Sequence, residues 1–409
     1  MTLTLLIRCI RTVFVAAVVG FLAACGSADG DAAATEADLQ SRADSLAKAV
    51  LMADGHIDLP YRLTRFMEDV SVRSDRGDFD YVRAKEGGMD VPFMSIYVSA
   101  SFQQNGGARD QAEMLIDLVD SIAAAHPDKF AVSRTVAEAR RHFAEGRVSL
   151  PMGMENGAPI EDLDALAHFY DRGIRYVTLT HSRDNHICDS SYDSTRTWNG
   201  LSDFGKRLIP AMNDIGMIID VSHISDSTFY QVMALSEAPV LATHSSCREF
   251  TPEFERNMSD DMIRALAANG GVICINFGSA FLRNEYQGLW EKAREELRAY
   301  REEHGIPEGS REAMDHYHRY REENARGRVT DVADHIDHVV ALVGVDHVGL
   351  GSDFDGVMAL PADLQDVSQM PNLIAELLRR GYSDDDIVKI CGENMMRVWS
   401  EVERVAAGG

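Results

Sequence analysis

The sequence predicts an α/β fold, a (β/α)8 TIM barrel with a helical hairpin inserted between strands 7 and 8. Three observations lead to this prediction. Short apolar runs alternate with stretches of helical periodicity, which is typical of a parallel sheet. Eight such runs occur within 409 residues, as expected for a barrel with insertions. No G-x-G-x-x-G sequence follows the first run, which disfavours the alternative, a doubly wound open sheet.

The eight predicted strands are short and mostly apolar. In chain order they cover residues 50–58, 91–99, 148–156, 176–181, 216–223, 238–245, 271–277 and 347–356. Residues 285–328 interrupt the alternation because they are charged and helical, so they are predicted to form the inserted hairpin. This segment contains three histidines that are interpreted as surface residues: His304, His316 and His318.

Residues 1–24 have the pattern of a secretory signal peptide. Two arginines precede an apolar run that is too short for a comfortable membrane span. Residues 22–25 resemble the lipobox of bacterial lipoproteins, which implies cleavage before Cys25 and lipidation of Cys25; an ordinary signal peptide with an incidental cysteine is the alternative. Residues 25–38 are predicted to be a flexible tether because they are small and acidic. The folded domain would then cover residues 39–409 and be exported, lipid-anchored to a bacterial membrane in the cell envelope.

The net charge of the chain is strongly negative. It is −25 for the full sequence, and loss of the two arginines with the signal peptide would make it −27. Such a charge argues against a nucleic-acid partner and against docking on an anionic lipid surface.

The cysteines give no sign of a metal site. Apart from Cys9 and Cys25, four cysteines remain, and their spacing contains no C-x-x-C motif. Cys274 lies in an apolar run, where a buried free thiol is expected. An exported protein can form disulfides, but the spacing does not define a pairing.

Acidic and imidazole side chains lie at the ends of six predicted strands. In chain order they are His56, Asp58, Glu155, His181, His223, His244 and Asp353. The carboxyl ends of barrel strands form one face, and that face carries the active site in barrel enzymes. Each residue alone has an ordinary interpretation as a satisfied polar group at a strand end. Together, they predict a shared site.

The types of side chain indicate a metal site. Imidazole and carboxylate groups suit Zn²⁺, and this set is too large for one tetrahedral ion. It suits two ions about 3.5–4 Å apart, which would lower the pKa of a water molecule between them and supply a nucleophile for hydrolysis.

Six motifs carry a resemblance to one family. "DGHIDLP", "GMENG", "VTLTHSRDN", "IIDVSHIS", "LATHSSCREFTPEFERNMSDDMI" and "GLGSDFDGV" resemble, in order, the motifs of the renal (membrane) dipeptidases, over about residues 50–400. The resemblance implies a zinc-dependent dipeptidase with two Zn²⁺ ions per chain and a bridging hydroxide. It also implies a homodimer, and tolerance of a D-residue at the carboxyl end of the dipeptide.

The resemblance implies a role for each metal ligand. His56 and Asp58 would bind the first zinc, and Glu155 would bridge both ions. His223 and His244 would bind the second zinc.

The resemblance also implies catalytic and substrate-binding roles. His181 would hold the scissile carbonyl oxygen and stabilise the oxyanion, and Asp353 would transfer protons. Arg256 would bind the terminal carboxylate of the dipeptide. From the residues alone, the alternative for Arg256 is a surface ion pair with Glu253 or Glu255.

Two other functions remain open at this point. A di-zinc amidohydrolase acting on another small amide, such as an N-acyl amino acid or a lactam, would use the same metal site. A non-catalytic envelope lipoprotein that binds dipeptides or metal would need an incomplete catalytic set, yet His181, Asp353 and all five implied ligands are present. Asp355 is interpreted as a residue that caps its loop.

Overall fold

The computed structural model describes residues 35–307 and 310–408. The predicted signal peptide, Cys25 and most of the predicted tether lie outside these residues. The first helix begins at Glu36, so residues 36–38 of the predicted tether are helical. Among the described residues, no helix combines the length and the apolar character needed to cross a membrane.

The fold is built around one sheet of eight parallel strands, as predicted. In spatial order, which is also chain order, these are β1 (Met52–Ile57), β2 (Met89–Tyr97), β5 (Met152–Glu155), β6 (Ile174–Thr178), β7 (Ile218–Asp220), β8 (Leu241–Ser245), β9 (Val272–Ile275) and β10 (Val348–Leu350). All neighbouring pairs are parallel. The barrel closes just beyond β10, where Asp58 donates its N–H to the carbonyl of Phe354 at 2.9 Å.

A second, two-stranded sheet was not predicted. It consists of β3 (Phe130–Ala131) and β4 (Val148–Ser149). The predicted third strand, 148–156, therefore divides into β4 and β5. Pro151 lies at the division, and proline cannot donate a backbone hydrogen bond to a ladder. Strands of two residues carry no periodicity, so the sequence pattern could not reveal β3.

Helices connect most of the strands and cover the outside of the barrel. Their bounds are α1 (Glu36–Ala49), α2 (Leu59–Arg65), α3 (Tyr81–Gly87), α4 (Ala100–Asn105), α5 (Ala108–Ala125), α6 (Val136–Ala144), α7 (Leu163–Arg172), α8 (Asp203–Ile215), α9 (Asp226–Leu235), α10 (Asp260–Ala268), α11 (Ser279–Leu282), α12 (Leu289–His304), α13 (Arg311–Glu323), α14 (Val329–Val343), α15 (Met370–Arg379), α16 (Asp384–Val388) and α17 (Asn394–Ala406). Ser202, Ser225 and Ser259 cap α8, α9 and α10 by accepting a backbone N–H of the first turn.

Apolar side chains fill the amino-terminal half of the barrel. Phe93, Tyr176 and Trp399 are fully buried there, and the ring of Trp399 on α17 contacts the ring of Phe93 edge-on at 5.3 Å. The carboxyl ends of the strands are thereby left free to carry polar groups, as in barrel enzymes generally.

The inserted segment forms two antiparallel helices, α12 and α13, as predicted. The ring of Tyr300 stacks on His316 at 3.6 Å, and the hydroxyl of Tyr320 donates to Glu296 at 2.6 Å. His304 is exposed, but His316 and His318 are half-buried, so their assignment to the surface was wrong. The ring of His316 stacks on Tyr300 of α12, and the ring of His318 lies near Asp78. Helical periodicity alone did not reveal either contact.

The four cysteines of the described domain are buried free thiols: Cys188, Cys247, Cys274 and Cys391. The expectation for Cys274 is confirmed.

Candidate active site

Glu155 lies at the centre of the predicted site, at the carboxyl end of β5. Its Oε1 atom is 3.1 Å from Nε2 of His223, 3.4 Å from Nε2 of His244 and 3.5 Å from Nε2 of His181. Its Oε2 atom is 3.4 Å from Nε2 of His56. Four strands or their following loops thus direct imidazoles at one carboxylate, as the barrel topology predicted.

The two aspartates complete the cluster. Oδ2 of Asp58 is 3.4 Å from Nε2 of His56, and Asp58, His56 and Asp353 have ligand atoms within 4.8 Å of one another. Two other groups of three residues also have ligand atoms within 4.8 Å of one another, and each includes Glu155. They are His56, Glu155 and His244, and Glu155, His181 and His223. Because Glu155 is shared, its two oxygens can each contact a different cation.

The donor set fits a metal ion. Nε2 of His56 and Oδ1 of Asp58 are buried and have no hydrogen-bond partner in the described structure. Such polar atoms are costly to bury unless a cation or a donor satisfies them. Imidazole nitrogens together with carboxylate oxygens suit zinc among the common divalent ions.

Unusual backbone conformations occur at the ends of the strands. Asn156, His223 and Asp353 have φ angles of 78°, 69° and 60°, a left-handed region that residues with a side chain rarely adopt. Such strain often accompanies functional sites. Here it occurs in the turns that carry His223 and Asp353 into the site.

Buried hydroxyl groups orient two of the imidazoles. The hydroxyl of Thr243 donates to Asp220 at 2.8 Å, since an ionised carboxylate only accepts. The Thr243 oxygen therefore accepts the Nδ1–H of His244 at 2.8 Å. Nδ1 of His56 lies 2.8 Å from the hydroxyl of Tyr176. In both rings Nε2 is left to face the cluster, which is the arrangement typical of metal-binding histidines.

Electrostatics prepares Glu155, His223 and His244 for a cation. His56 differs, because burial is outweighed by Tyr176, Glu155 and Asp58, which raise its pKa well above the usual value. Burial opposes the charge of Glu155, but His56 and His181 outweigh it and hold the pKa of Glu155 well below its usual range. Burial lowers the pKa of His223 and His244 well below the usual value, with Arg256 contributing to both. An ionised carboxylate and neutral imidazoles are the protonation states that metal binding requires.

Asp353 is a candidate for proton transfer. Burial, reinforced by Asp58 and Glu155 and opposed by His56, raises the pKa of Asp353 to about 7. Oδ2 of Asp353 accepts a hydrogen bond from Nδ2 of Asn276 at 2.7 Å. A carboxyl group that titrates near neutral pH is suited to general acid–base catalysis.

Arg256 is buried beside the cluster around Glu155, with 3% of its surface exposed. Its Nη1 donates to Ser245 Oγ at 2.6 Å, and its Nη2 donates to the carbonyl of His244 at 2.7 Å. No carboxylate of the described residues lies within ion-pair distance of its guanidinium. Its sequence neighbour Glu255 pairs with Arg196. The alternative of a surface ion pair for Arg256 was therefore wrong. A buried guanidinium without a carboxylate is suited to bind an anion.

His181 lies at the rim of the site, and its side chain is 21% exposed. Its ring is 4.3 Å from the ring of His223 and 5.0 Å from the ring of Tyr97, centre to centre. His181 forms one of the three-residue groups, with Glu155 and His223. The distances alone therefore allow it to be a metal ligand or an oxyanion donor.

Several supporting residues were missed in the sequence. Asn276 directly follows β9, and it was overlooked because only charged and imidazole groups were sought at strand ends. Asp54 and Asp220 lie inside apolar runs, where a buried acid is itself a signal. Asp54 accepts the backbone N–H of His56 at 2.9 Å and that of Ser352 at 3.1 Å.

The chain is similar to known dipeptidases. Residues 40–408 match the model of a family described as Membrane dipeptidase (Peptidase family M19). Dipeptidase verJ of Clonostachys rogersoniana is 34% identical over 384 residues, which cover 90% of this chain and 88% of that protein.

Solved structures of similar fold include two peptidases, both 29% identical to this chain. The probable dipeptidase PvdM from Pseudomonas aeruginosa has a TM-score of 0.76, covering 90% of this chain and 99% of its own. A metallo peptidase from Rhodobacter sphaeroides, liganded with a phosphinate mimic of the dipeptide L-Ala-D-Ala, has a TM-score of 0.71, covering 86% and 99%.

Proposed function

The chain belongs to the membrane dipeptidase family, peptidase family M19, and we propose that it hydrolyses free dipeptides with two zinc ions bound around Glu155. As a metallo-dipeptidase of this family it is a hydrolase that acts on peptide bonds. One observation supports free dipeptides above other substrates. The buried guanidinium of Arg256 has no carboxylate partner among the described residues. It contacts the backbone of His244, directly beside the cluster around Glu155.

The proposed ligands are those that the resemblance implied. His56 and Asp58 would hold the first ion, His223 and His244 would hold the second, and Glu155 would serve both. The unpartnered Nε2 of His56 and the orientation of the His244 ring support this assignment. Two bound zinc ions would lower the pKa of the water between them and so supply a hydroxide nucleophile near neutral pH.

Three further residues act on the substrate. Arg256 binds the terminal carboxylate of the dipeptide in its fork of N–H donors. His181, at the exposed rim, donates to the carbonyl oxygen as negative charge develops on it. Asp353 accepts a proton when the nucleophile attacks and returns it to the departing amine, while Asn276 holds its carboxylate in place.

The Arg256 clamp also accounts for selectivity against longer peptides. A tripeptide would place an amide where the guanidinium expects a carboxylate, leaving a buried charge poorly paired. The phosphinate mimic of L-Ala-D-Ala bound by the Rhodobacter sphaeroides peptidase supports a D-residue at the carboxyl end as an acceptable substrate here.

The remaining alternative is hydrolysis of another small amide, such as an N-acyl amino acid or a lactam, by the same metal site. A requirement for a free amino terminus separates the two. A non-catalytic binding role conflicts with the complete set of catalytic groups around Glu155.

We also propose that the protein is exported, lipidated at Cys25 and homodimeric. The signal-peptide pattern and the lipobox resemblance support export and lipidation, and the family resemblance supports the dimer. Mass spectrometry of the membrane fraction would detect lipid on Cys25, and its absence from an intact Cys25 peptide would reject that proposal. Light scattering of the purified protein would give the oligomeric state.

The function is tested with a soluble form that begins at Gly26, loaded with zinc. The substrates are L-Ala-L-Ala, L-Ala-D-Ala, N-acetyl-L-Ala-L-Ala and L-Ala-L-Ala-L-Ala, and bound metal is measured in parallel. We expect cleavage of the two free dipeptides alone, with two zinc ions per chain. Two zinc ions without dipeptide cleavage would retain the metal site and reject the substrate.

A further inference from the structure

A buried ion pair connects the inserted hairpin with the segment between α2 and α3. Arg321 lies on α13, and its guanidinium donates to both carboxylate oxygens of Asp78, at 3.0 and 2.8 Å. Arg321 is 8% exposed and Asp78 is 5% exposed. Since both groups are largely removed from water, each depends on the other for its charge to be tolerated.

Asp78 in turn holds the loop that follows β10. The backbone N–H of Asp355 donates to Oδ2 of Asp78 at 2.8 Å, and the N–H of Asp78 donates to Oδ1 of Asp355 at 2.7 Å. Arg62 donates from Nε to Oδ2 of Asp355 at 3.0 Å. The interpretation of Asp355 as a simple loop cap is thus too narrow, because its carboxylate joins two other segments of the chain.

This loop is under conformational strain at the position of the catalytic carboxyl. Asp353 and Asp355 both have left-handed φ angles, 60° and 66°. Residues with a side chain keep such angles only where surrounding contacts impose them. The bonds between Asp78 and Asp355 are contacts of this kind, and they lie two residues from Asp353.

The loop also touches both aspartates of the site. A Cβ atom added to Gly356 would lie 2.2 Å from Oδ1 of Asp353 and 2.2 Å from Oδ2 of Asp58. The backbone N–H of Asp58 donates to the carbonyl of Phe354. A shift of this loop would therefore move Asp353 directly against its neighbours.

A second contact joins the hairpin to the same segment. Arg76 donates to Asp315 of α13 at 2.6 Å and to Glu68 at 3.3 Å, and Arg62 donates to Glu68 at 2.8 Å. Asp315 is 43% exposed at its side chain, so water weakens this contact relative to the Arg321 pair. The buried pair is the one that carries the connection.

We propose that Arg321 is a positioning residue for the active site, which acts through Asp78 and Asp355 to hold the loop 353–356 and so places Asp353 for proton transfer. The inserted hairpin is then part of the catalytic architecture. The inference rests on the proposed function only in assigning proton transfer to Asp353; the contacts that position the loop do not depend on the substrate.

The test compares Arg321→Met with Arg319→Met, a matched change at an exposed arginine of the same helix. Both proteins are loaded with zinc and assayed with L-Ala-L-Ala. We expect Arg321→Met to lower kcat by about 10- to 100-fold, since small misplacements of catalytic groups have effects of this size. KM should stay within about twofold of wild type, because Arg256 does not lie on this loop. Zinc content is measured in the same samples, because Asp58 touches the loop, and kcat is compared per bound zinc. Arg319→Met should behave as wild type, and Arg321→Lys should recover part of kcat.

Hydrogen exchange provides a readout that does not require activity. The amides of Asp78 and Asp355 should exchange faster in Arg321→Met, and those of β10 should not. The double variant Asp78→Asn/Arg321→Met removes both charges, so it keeps a folded protein available if the single variant is unstable. A folded, zinc-loaded variant of either kind with wild-type kcat and unchanged exchange at Asp355 would overturn the proposal. Loss of protection at Asp355 in a protein whose wild type cleaves no dipeptide would instead reject the proposed function and retain the positioning role.

Discussion

At the scale of single residues, Asp353 has the environment of a proton-transfer group. Burial raises its pKa to about 7, and bound cations would lower it from there, since positive charge favours the carboxylate. Only the ionised form can accept a proton. The value of kcat/KM should therefore fall as the pH drops through the pKa of Asp353, at or below about 7.

We expect Asp353→Asn to lower kcat by about 10²- to 10⁴-fold, the usual contribution of a general acid or base. The acidic limb of the pH profile should disappear with it. Zinc content, measured by atomic emission, should stay that of wild type. A variant that retains its activity would show that another group transfers the proton.

Arg256 is a second single residue whose role can be tested, because its buried guanidinium has no carboxylate partner among the described residues. Replacing it with methionine should lower kcat/KM for L-Ala-L-Ala by about 10- to 100-fold, the loss expected for hydrogen bonds to a charged group. The exposed Arg264 provides the control, as Arg264→Met. Equal losses on L-Ala-L-Ala and its carboxyl amide would argue against a carboxylate clamp.

Tyr176 orients His56, a proposed metal ligand, from within the barrel. Tyr176→Phe removes the hydroxyl that lies 2.8 Å from His56, so zinc affinity should fall by about 10- to 100-fold. Competition with a chelator measures this directly. The exposed Tyr230, changed to phenylalanine, should leave the affinity unchanged; similar affinities in both variants would exclude the role of Tyr176.

At the scale of elements, β1 and β2 are joined partly by a titrating side chain. Asp90 of β2 accepts the backbone N–H of Met52 at 3.2 Å, and burial raises its pKa to about 6 despite the opposing effects of that bond and Lys85. Folding therefore favours the protonated form. The stability contributed by this group is complete below about pH 4 and is lost as the pH rises through about 6.

Asp90→Asn cannot titrate, so its stability relative to wild type should rise by about 2–3 kcal/mol between pH 4 and pH 8. Urea unfolding of the metal-free proteins at the two pH values measures this difference. A constant difference would mean that Asp90 titrates normally in the folded state.

The strands and helices also show which structural features a local sequence pattern can predict. Each of the eight apolar runs corresponds to a barrel strand, because a strand buried on both faces is a continuous apolar segment. The run 148–156 was predicted as one strand, but the structure divides it into two strands at Pro151. The half-buried positions of His316 and His318 depend on what α13 packs against, and no local pattern contains that information.

At the scale of the whole molecule, the barrel explains why seven residues spread over about three hundred positions meet in one site. Parallel strands must all end on one face, so the position of a polar residue along its strand decides whether it reaches the site. The strand number and the polar strand ends are local properties. The sequence by itself therefore determined the fold class and the residues that the structure brings together around Glu155.

Only the tertiary structure decided the connections between distant segments. Arg321 and Asp78 are 243 positions apart, and Asp355 and Asp78 are 277 apart. Any of the chain's many charged residues could form such pairs, and pairing depends on which loops the fold brings together. The same reason applies to Arg256. Glu253 and Glu255 are close to it in sequence, yet the fold directs Glu255 to Arg196. The guanidinium of Arg256 is left buried, without a carboxylate of the described residues, beside the cluster around Glu155.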